Sequence, residues 1–358
     1  MKALKLYGVE DLRYEDNEKP VIESANDVIV KVRATGICGS DTSRYKKMGP
    51  YIKGMPFGHE FSGVVDAIGS DVTHVNVGDK VTGCPAIPCY QCEYCLKGEY
   101  ARCEKLFVIG SYEPGSFAEY VKLPAQNVLK VPDNVDYIEA AMVEPSAVVA
   151  HGFYKSNIQP GMTVAVMGCG SIGLLAIQWA RIFGAAHIIA IDIDAHKLDI
   201  ATSLGAHQTI NSKEENLEKF IENHYANQID LAIESSGAKA TIGQILTLPK
   251  KGGEVVLLGI PYDDIEINRV HFEKILRNEL TVCGSWNCLS SNFPGKEWTA
   301  TLHYMKTKDI NVKPIISHFL PLEKGPETFD KLVNKKERFD KVMFTIYWYA
   351  PLRTKTLV

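Results

Sequence analysis

Short apolar runs alternate with stretches of helical spacing through the second half of the chain. Six of these runs have the length of strands, and they are residues 163–167, 188–191, 208–210, 231–233, 254–258 and 281–283. Apolar spacing predicts helices over 172–183, 195–204 and 217–224, each of them after one of the first three strands. This alternation is typical of a doubly wound parallel sheet, and six strands is the number in the full dinucleotide-binding form.

The first part of the chain has a different texture. Up to about residue 150 it holds short strands rich in Val and Ile, separated by Gly, Pro and Asp, for example at 28–32, 63–67 and 80–83. That pattern predicts an irregular β-barrel-like domain. Beyond residues 293–295 a helix over 297–306 and a strand over 342–346 are predicted. Because 358 residues exceed one compact core, two domains are expected.

Composition places the chain among globular proteins. It is 46% hydrophobic and 23% charged, and its apolar runs are too short to span a bilayer. The first residues do not form a sustained apolar core before a small-residue cleavage site, so no signal peptide is predicted. The formal net charge of −4 argues against nucleic-acid binding. We therefore expect a cytoplasmic protein that binds neither membranes nor nucleic acid.

Nine cysteines are the unusual feature of the composition. An odd number in a long chain favours reduced thiols over a disulfide framework. Four of them are clustered, at Cys89, Cys92, Cys95 and Cys103. Thiolates at this spacing can close a tetrahedral zinc shell without an open position, which is a structural site. An iron–sulfur cluster is the chemical alternative, whereas the absence of a basic, aromatic stripe disfavours a nucleic-acid-binding zinc ribbon.

A glycine motif follows the first predicted strand of the second half. Residues 168–173 read G-x-G-x-x-G, between a strand and an amphipathic helix, which is the context that a dinucleotide site requires. Gly168 would allow the tight turn, Gly170 the close approach of the pyrophosphate, and Gly173 the packing of helix on strand. The diphosphate would lie on the N–H groups of the helix start, at Ser171 and Ile172.

An acidic residue ends the second predicted strand. The Asp192 carboxylate can accept hydrogen bonds from the ribose 2′-hydroxyl and repel a 2′-phosphate, so NAD is favoured over NADP. Lys197 lies close by in the sequence and weakens that preference slightly, since a cation can accept a phosphate. A strand–turn–helix that binds no nucleotide is the structural alternative.

Two further motifs upstream each contain a residue that could bind a metal. They are Gly36-Ile37-Cys38-Gly39-Ser40-Asp41 and Gly58-His59-Glu60-Phe61-Ser62-Gly63. With the four-cysteine loop and the glycine motif, in this order, the chain resembles the zinc-containing medium-chain dehydrogenase/reductase family. The resemblance extends to about Ile346 and includes Glu144-Pro145. It implies a catalytic domain of the GroES-like β-barrel type over 1–153, with the structural zinc loop 89–103. It also implies a Rossmann NAD-binding domain over 154–293 and a segment over 294–358 that returns to the catalytic domain.

The resemblance also implies the catalytic residues. Cys38 and His59 match the ligands of a catalytic zinc, and Glu60 and Glu144 match acidic residues at the metal in the polyol dehydrogenase branch, one binding directly and the other directly or through water. A carboxylate in place of a thiolate makes the site harder, and another divalent metal stays open. Zinc would lower the pKa of the substrate hydroxyl before hydride passes to the nicotinamide. Ser40 is the candidate for the first group of a proton relay, with a turn serine as its structural alternative.

The substrate is the least determined feature. Residues 274–286 and 293–298 are most similar to the enzymes of this branch that oxidise a phosphorylated hexitol, which implies a sugar alcohol phosphate as substrate. Arg44 is then the candidate phosphate ligand, with Lys46, Lys47 or Lys53 as further candidates and a solvated loop as the alternative. An unphosphorylated polyol, a vicinal diol, a pentitol phosphate and threonine stay open, as does a non-catalytic zinc and nucleotide binder. The family also implies a homodimer or homotetramer that associates through edge strands, here near 280–284.

Overall fold

The computed structural model describes residues 1–346. The ending 347–358, for which the sequence offered no role, lies outside the described residues. Across the described part no helix is long and apolar enough to cross a membrane.

The first part of the chain is mostly strands. Its elements are β1 Lys2–Gly8, β2 Asp11–Asp16, β3 Asp27–Gly36, α1 Gly39–Ser43, β4 Met55–Pro56, β5 Glu60–Ile68, β6 Lys80–Gly83, β7 Ala86–Ile87, α2 Glu93–Leu96, β8 Phe107–Val108, β9 Tyr120–Pro124, β10 Val128–Lys130 and α3 Tyr137–Ala141. A one-turn π-helix, Arg44–Met48, follows α1 directly.

Strands and helices alternate in the middle of the chain. The elements are α4 Val143–Lys155, β11 Thr163–Met167, α5 Ser171–Ile182, β12 His187–Asp192, α6 Ala195–Ser203, β13 Gln208–Asn211, α7 Leu217–Tyr225, β14 Leu231–Glu234, α8 Lys239–Gln244, β15 Glu254–Leu257, α9 Arg269–Arg277 and β16 Thr281–Gly284. The remaining elements are α10 Lys296–Lys306, β17 Ile316–Pro321, α11 Gly325–Val333 and β18 Lys341–Thr345.

The six strands of the middle part form one parallel sheet in the order β13-β12-β11-β14-β15-β16. Four of the five residues of β11 are buried, as expected for a strand covered on both faces by helices. The strand order reverses at β11, so the crevice for a ligand lies at the carboxyl ends of β11 and β14. The predicted fold class is confirmed, and each of the six predicted strands is present.

The first part of the chain forms a seven-stranded sheet in the order β10-β6-β5-β3-β18-β17, with β9 pairing with β3 as well. A second sheet, β2-β1-β4, and the pair β7-β8 complete this part. The aromatic core between the sheets includes Phe57, Phe117 and Phe329, which lie within 6.0 Å of one another by ring centroid.

The chain returns to this first sheet at its end. β18 pairs antiparallel with β3 and parallel with β17, so two late strands extend the sheet that the first residues began. The helix α10 comes before this return, and its Trp298 is buried in the same cluster as Trp179 of α5. The strands that return to the first sheet are therefore β17 and β18.

Candidate active site

The ends of two neighbouring strands bring a thiol, an imidazole and a carboxylate together. β3 and β5 pair antiparallel, and Gly36 lies opposite Glu60. Cys38 follows β3 as the N-cap of α1, and His59 comes directly before β5. One ligand atom from each of Cys38, His59 and Glu60 lies within 4.8 Å of the others. Three donors of this kind at this separation are a set that zinc prefers.

Glu144 faces the same group from the first turn of α4, outside the cluster of atoms within 4.8 Å. Burial raises the pKa of its carboxyl to about 8, with the charges of Glu60 and Cys38 acting in the same direction and His59 opposing them. Burial also raises the pKa of the Cys38 thiol to about 12, assisted by the charges of Glu60 and Asp41. Burial without a cation therefore favours the neutral forms of these acidic groups, and a divalent cation bound among them would favour their ionised, metal-binding forms.

Asp41 is a further residue of this site, and it was not predicted from the sequence. It is fully buried, and its Oδ2 accepts a hydrogen bond of 2.9 Å from the Cys38 backbone N–H. Its Oδ1 has no hydrogen-bond partner and lies 3.7 Å from His59 Nδ1. A carboxylate beside one ring nitrogen of a metal-binding histidine orients the imidazole and fixes its tautomer. The sequence signal that could have identified Asp41 is its position as an acidic residue three places after Cys38, the N-cap of α1.

Ser40 lies in the first turn of α1, and its hydroxyl acts on the Cys38 thiol, whose pKa it lowers slightly against the effect of burial. The hydroxyl therefore lies against a candidate metal ligand. This position is compatible with a proton relay and with the structural alternative of a turn serine.

The four clustered cysteines form a second set of donors, with one sulfur from each within 4.8 Å of the others. The sulfurs of Cys89 and Cys95 are 3.9 Å apart, close to the ~3.8 Å edge of a tetrahedron built on zinc–sulfur bonds of ~2.3 Å. Backbone N–H groups of Gln91 and Cys92 lower the pKa of the Cys89 thiol to about 6. The residues therefore fit a closed four-thiolate zinc site.

The loop 89–103 that carries these four cysteines, which we call the cysteine lobe, also contacts the nucleotide-binding part of the chain. The rings of Tyr90, Tyr100 and Phe293 pack edge to face, with centroids 5.7 to 5.8 Å apart. Phe293 belongs to the segment between β16 and α10, so the lobe contacts the chain that follows the last strand of the parallel sheet.

The glycine motif has the geometry of a phosphate-binding turn. Gly168 has a φ of 90°, which favours glycine. A Cβ on Gly173 would lie 1.7 Å from the Gly168 carbonyl oxygen, whereas a Cβ on Gly170 would meet no atom within 4 Å. The backbone at Gly170 is therefore open to a ligand. α5 begins at Ser171, so the N–H groups of Ser171 and Ile172 belong to its first turn.

Asp192 ends β12 and organises the turn after it. Its Oδ2 accepts from the Cys169 N–H at 2.6 Å, and its Oδ1 accepts from the Ile193 and Asp194 N–H groups at 2.7 and 3.0 Å. The carboxylate thus lies beside the glycine motif, at the edge where a ribose would bind. Lys197 lies in α6, one turn further on, and its charge acts on Asp194.

Arg44 does not have the open position that was predicted for a phosphate ligand. Its side chain is buried, and its guanidinium donates to the Gly110 carbonyl oxygen at 2.9 Å and to Ser111 Oγ at 2.6 Å. It also lies 4.4 Å from the centroid of the Tyr51 ring. The π-helix turns this side chain into its own domain, which gives Arg44 a structural role. Of the other candidates, Lys46 pairs with Glu10.

Contacts across the crevice were not predicted either. Lys47 Nζ donates to both oxygens of Asp263, at 2.8 and 3.0 Å. Burial together with the charge of Cys38 raises the pKa of the neighbouring Tyr262 hydroxyl, and Ser43 opposes this rise. The loop after β15 therefore reaches the segment that follows Cys38, and Tyr262 lies beside the candidate metal site.

Comparison with known proteins agrees with this geometry. Residues 24–133 match the alcohol dehydrogenase GroES-like domain, and residues 171–302 match the zinc-binding dehydrogenase domain. Galactitol 1-phosphate 5-dehydrogenase of Escherichia coli (strain K12) is 37% identical over 310 residues, which are 86% of this chain and 89% of that protein. Sorbitol dehydrogenase of Bacillus subtilis (strain 168) is 32% identical over 350 residues, 96% of each chain.

A solved structure is also similar over nearly the full length. The crystal structure of galactitol-1-phosphate dehydrogenase from Escherichia coli superposes with a TM-score of 0.91 at 34% identity, and the match covers 97% of this chain and 100% of that one. Fold, motifs and relatives together define an oxidoreductase that acts on alcohols with a nicotinamide cofactor. The chain belongs to the zinc-dependent medium-chain dehydrogenase/reductase family, in its polyol dehydrogenase branch, and zinc and NAD are the cofactors of this enzyme class. The resemblance predicted from the motifs is confirmed.

Proposed function

We propose that this protein oxidises a secondary hydroxyl of a sugar alcohol phosphate of the galactitol 1-phosphate type to a ketose phosphate, reversibly and with NAD. The observation that carries this proposal is the 37% identity to a galactitol 1-phosphate 5-dehydrogenase over 86% of the chain. The cluster of Cys38, His59 and Glu60 supports it, because a polyol offers hard oxygen donors to a site that contains carboxylates.

In this proposal Cys38 and His59 hold the catalytic zinc together with the carboxylates of Glu60 and Glu144, of which one binds directly and the other directly or through water. When bound, the metal lowers the pKa of the substrate hydroxyl and NAD accepts the hydride from its carbon. Asp41 orients the His59 ring. Ser40, beside the Cys38 sulfur, takes up the hydroxyl proton and passes it towards solvent.

The cofactor would lie on the glycine motif. The backbone around Gly170 faces the pyrophosphate, the N–H groups of Ser171 and Ile172 donate to it, and Asp192 accepts from the ribose hydroxyls. Cys89, Cys92, Cys95 and Cys103 hold the second, structural zinc, which gives two zinc ions per subunit.

A substrate panel tests the proposal. The purified, zinc-loaded protein is given galactitol 1-phosphate, galactitol, sorbitol, ribitol 5-phosphate, 2,3-butanediol and threonine, each with NAD and with NADP, and the nicotinamide absorbance is followed. We expect kcat/KM to be highest for galactitol 1-phosphate with NAD. Equal or higher kcat/KM for an unphosphorylated diol would contradict the phosphate specificity and leave the dehydrogenase class intact.

The phosphate ligand is tested separately. Since Arg44 is engaged with Gly110 and Ser111, we expect Arg44→Ala to lower the melting temperature more than it changes the KM for the phosphorylated substrate. Lys53 is exposed on the loop that follows the π-helix, and Lys53→Ala is the matched variant for a direct contact with the phosphate. A rise of KM confined to Lys53→Ala assigns the phosphate contact to this lysine.

An unphosphorylated polyol dehydrogenase is the second candidate. It is favoured by the inward position of Arg44 and by the match to sorbitol dehydrogenase, which covers 96% of both chains. The same panel separates the two candidates. We further infer a cytoplasmic enzyme, since all nine cysteines are unpaired, and a homodimer or homotetramer.

A further inference from the structure

A buried ammonium group lies beside the candidate metal site. Lys341 is the first residue of β18, and its side chain is 3% exposed. Its Nζ donates to the Glu60 carboxylate, whose side chain is 2% exposed, and to the Ile37 carbonyl oxygen at 2.9 Å. Lysine is almost never fully buried unless it is paired, so this ion pair is the reason that both side chains can be inside.

The sheet brings Lys341 to this position. β18 pairs antiparallel with β3 and places Met343 opposite Gly36. Beyond this ladder the Ile37 N–H donates to the Val342 carbonyl oxygen at 3.0 Å. The last strand of the fold is therefore attached to the backbone directly before Cys38, and its first side chain points into the site.

Gly36 makes room for the ion pair. A Cβ at this position would lie 2.3 Å from Glu60 Oε2 and 3.0 Å from Lys341 Cε. Any side chain at residue 36 would displace the carboxylate or the amine. Gly36 at the end of β3, Glu60 at the start of β5 and Lys341 at the start of β18 therefore pack together at one ion pair.

The carboxylate in this ion pair is also a candidate metal ligand. Glu60 belongs to the cluster with Cys38 and His59, and the positive charge of Lys341 acts on both Cys38 and Glu144. The titratable groups that face the pair, Cys38 and Glu144, are acidic, and His59 is the exception. A metal ion and an ammonium group would therefore share one carboxylate, and each cation weakens the hold of that carboxylate on the other.

We propose that Lys341 is a positioning residue that holds the Glu60 carboxylate beside the catalytic zinc and limits how strongly this carboxylate binds the ion. The inference rests on the proposed catalytic zinc site. Without the ammonium, Glu60 binds the ion with its full charge, so the ion is retained longer and withdraws less charge from the substrate oxygen. In a protein without this ammonium, turnover therefore falls while zinc retention rises. A merely structural role of Lys341 would not produce this combination.

Release of zinc from the full-length, zinc-loaded protein tests this inference. Zinc transfer to an excess of a chromogenic chelator is followed for the wild type and for Lys341→Met, and the phase from the catalytic site is the one that Cys38→Ala lacks. We expect this phase to slow by about tenfold in Lys341→Met, the size expected for one unit charge a few ångströms from the ion. In Lys341→Met/Glu60→Gln the rate should return towards that of the wild type, because the carboxylate is gone.

Lys308→Met is the matched control, since it breaks the ion pair of Lys308 with Glu139 and should leave the catalytic-site phase unchanged. If Lys341→Met does not fold, Lys341→Gln removes the same charge, keeps one donor for the Ile37 oxygen, and should slow the same phase. An unchanged or faster phase in the folded variant overturns the inference, as does a double variant that behaves like the single one. A wild type without any phase that depends on Cys38 contradicts the proposed zinc site itself, so the two failures are distinguishable.

Discussion

Asp41 shows how one buried side chain can control a metal ligand at the residue scale. Its carboxylate bonds to the Cys38 N–H through one oxygen and faces His59 through the other. Asp41→Asn keeps the shape and an acceptor but removes the charge, so the His59 ring loses its orienting partner. We expect zinc affinity or kcat to fall by about 10- to 100-fold, the usual cost of losing such a partner.

Chelator competition and steady-state kinetics measure the effect of Asp41→Asn. Thr42→Val is the control, because the Thr42 hydroxyl makes an exposed hydrogen bond to the Gly39 carbonyl oxygen within its own turn. Wild-type kcat and zinc affinity in Asp41→Asn would show that His59 is oriented by other contacts.

Asp192 carries the choice of cofactor in this proposal. Asp192→Asn removes the charge at the ribose edge while keeping an oxygen for the N–H groups of the turn. A hydrogen bond to a charged group contributes roughly 1.5–3 kcal/mol, so we expect the KM for NAD to rise by about 10- to 100-fold. Initial rates with NAD and with NADP measure this, and the ratio should shift towards NADP. An unchanged ratio would contradict the ribose contact.

At the scale of single residues, the sequence predicted motifs but not the directions in which individual side chains point. The glycine motif was identified because its spacing is tied to a strand–turn–helix. Lys341 was not, because 281 positions separate it from Glu60 and only the sheet register brings them together. Arg44 was the candidate phosphate ligand, but the direction of a side chain on a one-turn π-helix depends on packing that the sequence does not display.

At the scale of elements, the cysteine lobe connects metal binding to the contact between the two parts of the chain. Cys95→Ser removes one thiolate of the structural site, and Cys95 is among the buried members of the set. We expect the zinc content to fall from two ions to one per subunit, and the melting temperature to fall, because structural zinc contributes directly to folding free energy.

Elemental analysis and differential scanning calorimetry measure both effects of Cys95→Ser. Cys283→Ser is the control, since this cysteine lies in β16, away from the lobe, and should leave the zinc content at two. Full zinc content in Cys95→Ser would mean that the four-thiolate site is not the second zinc site.

Elements with strong periodicity were predicted well, and elements buried on several sides were not. The strand predicted at 163–167 is β11, and the helix predicted at 172–183 differs from α5 by one residue at each end. α4 was not predicted, because ten of its thirteen residues are buried and its apolar positions do not follow one face. A helix packed between two others gives no amphipathic signal.

At the scale of the whole molecule, long-range contacts assemble the site. Glu60 and Cys38 come from the first sheet, Lys341 from its last strand, and Tyr262 from a loop of the parallel sheet. Asp194 beside the cofactor edge pairs with Arg338, at 2.7 Å, from the returning segment. These pairings follow from topology and not from local pattern, so the sequence alone predicted the fold class but not these contacts.

The exposed edge of the parallel sheet argues for a second copy of the chain. β16 is the last strand of its sheet, and α9 beside it exposes Val270 and Leu276. The N–H groups of Thr281 and Ser285 bond to the carbonyl oxygens of Gly253 and Leu257, so strand alternation points the Val282 N–H away from β15. An unprotected edge of this kind pairs readily with a second edge, and a two-fold axis would let β16 pair with its own copy.

Val282→Pro tests this association because it removes one outward N–H and leaves the bonds to β15 intact. We expect the wild type to have at least the mass of a dimer in light scattering and Val282→Pro to shift towards the 39.7 kDa monomer. Val282→Thr keeps the N–H and removes apolar surface, so it should stay associated if backbone pairing dominates. A monomeric wild type would contradict pairing at this edge, and an associated Val282→Pro would place the contact on α9.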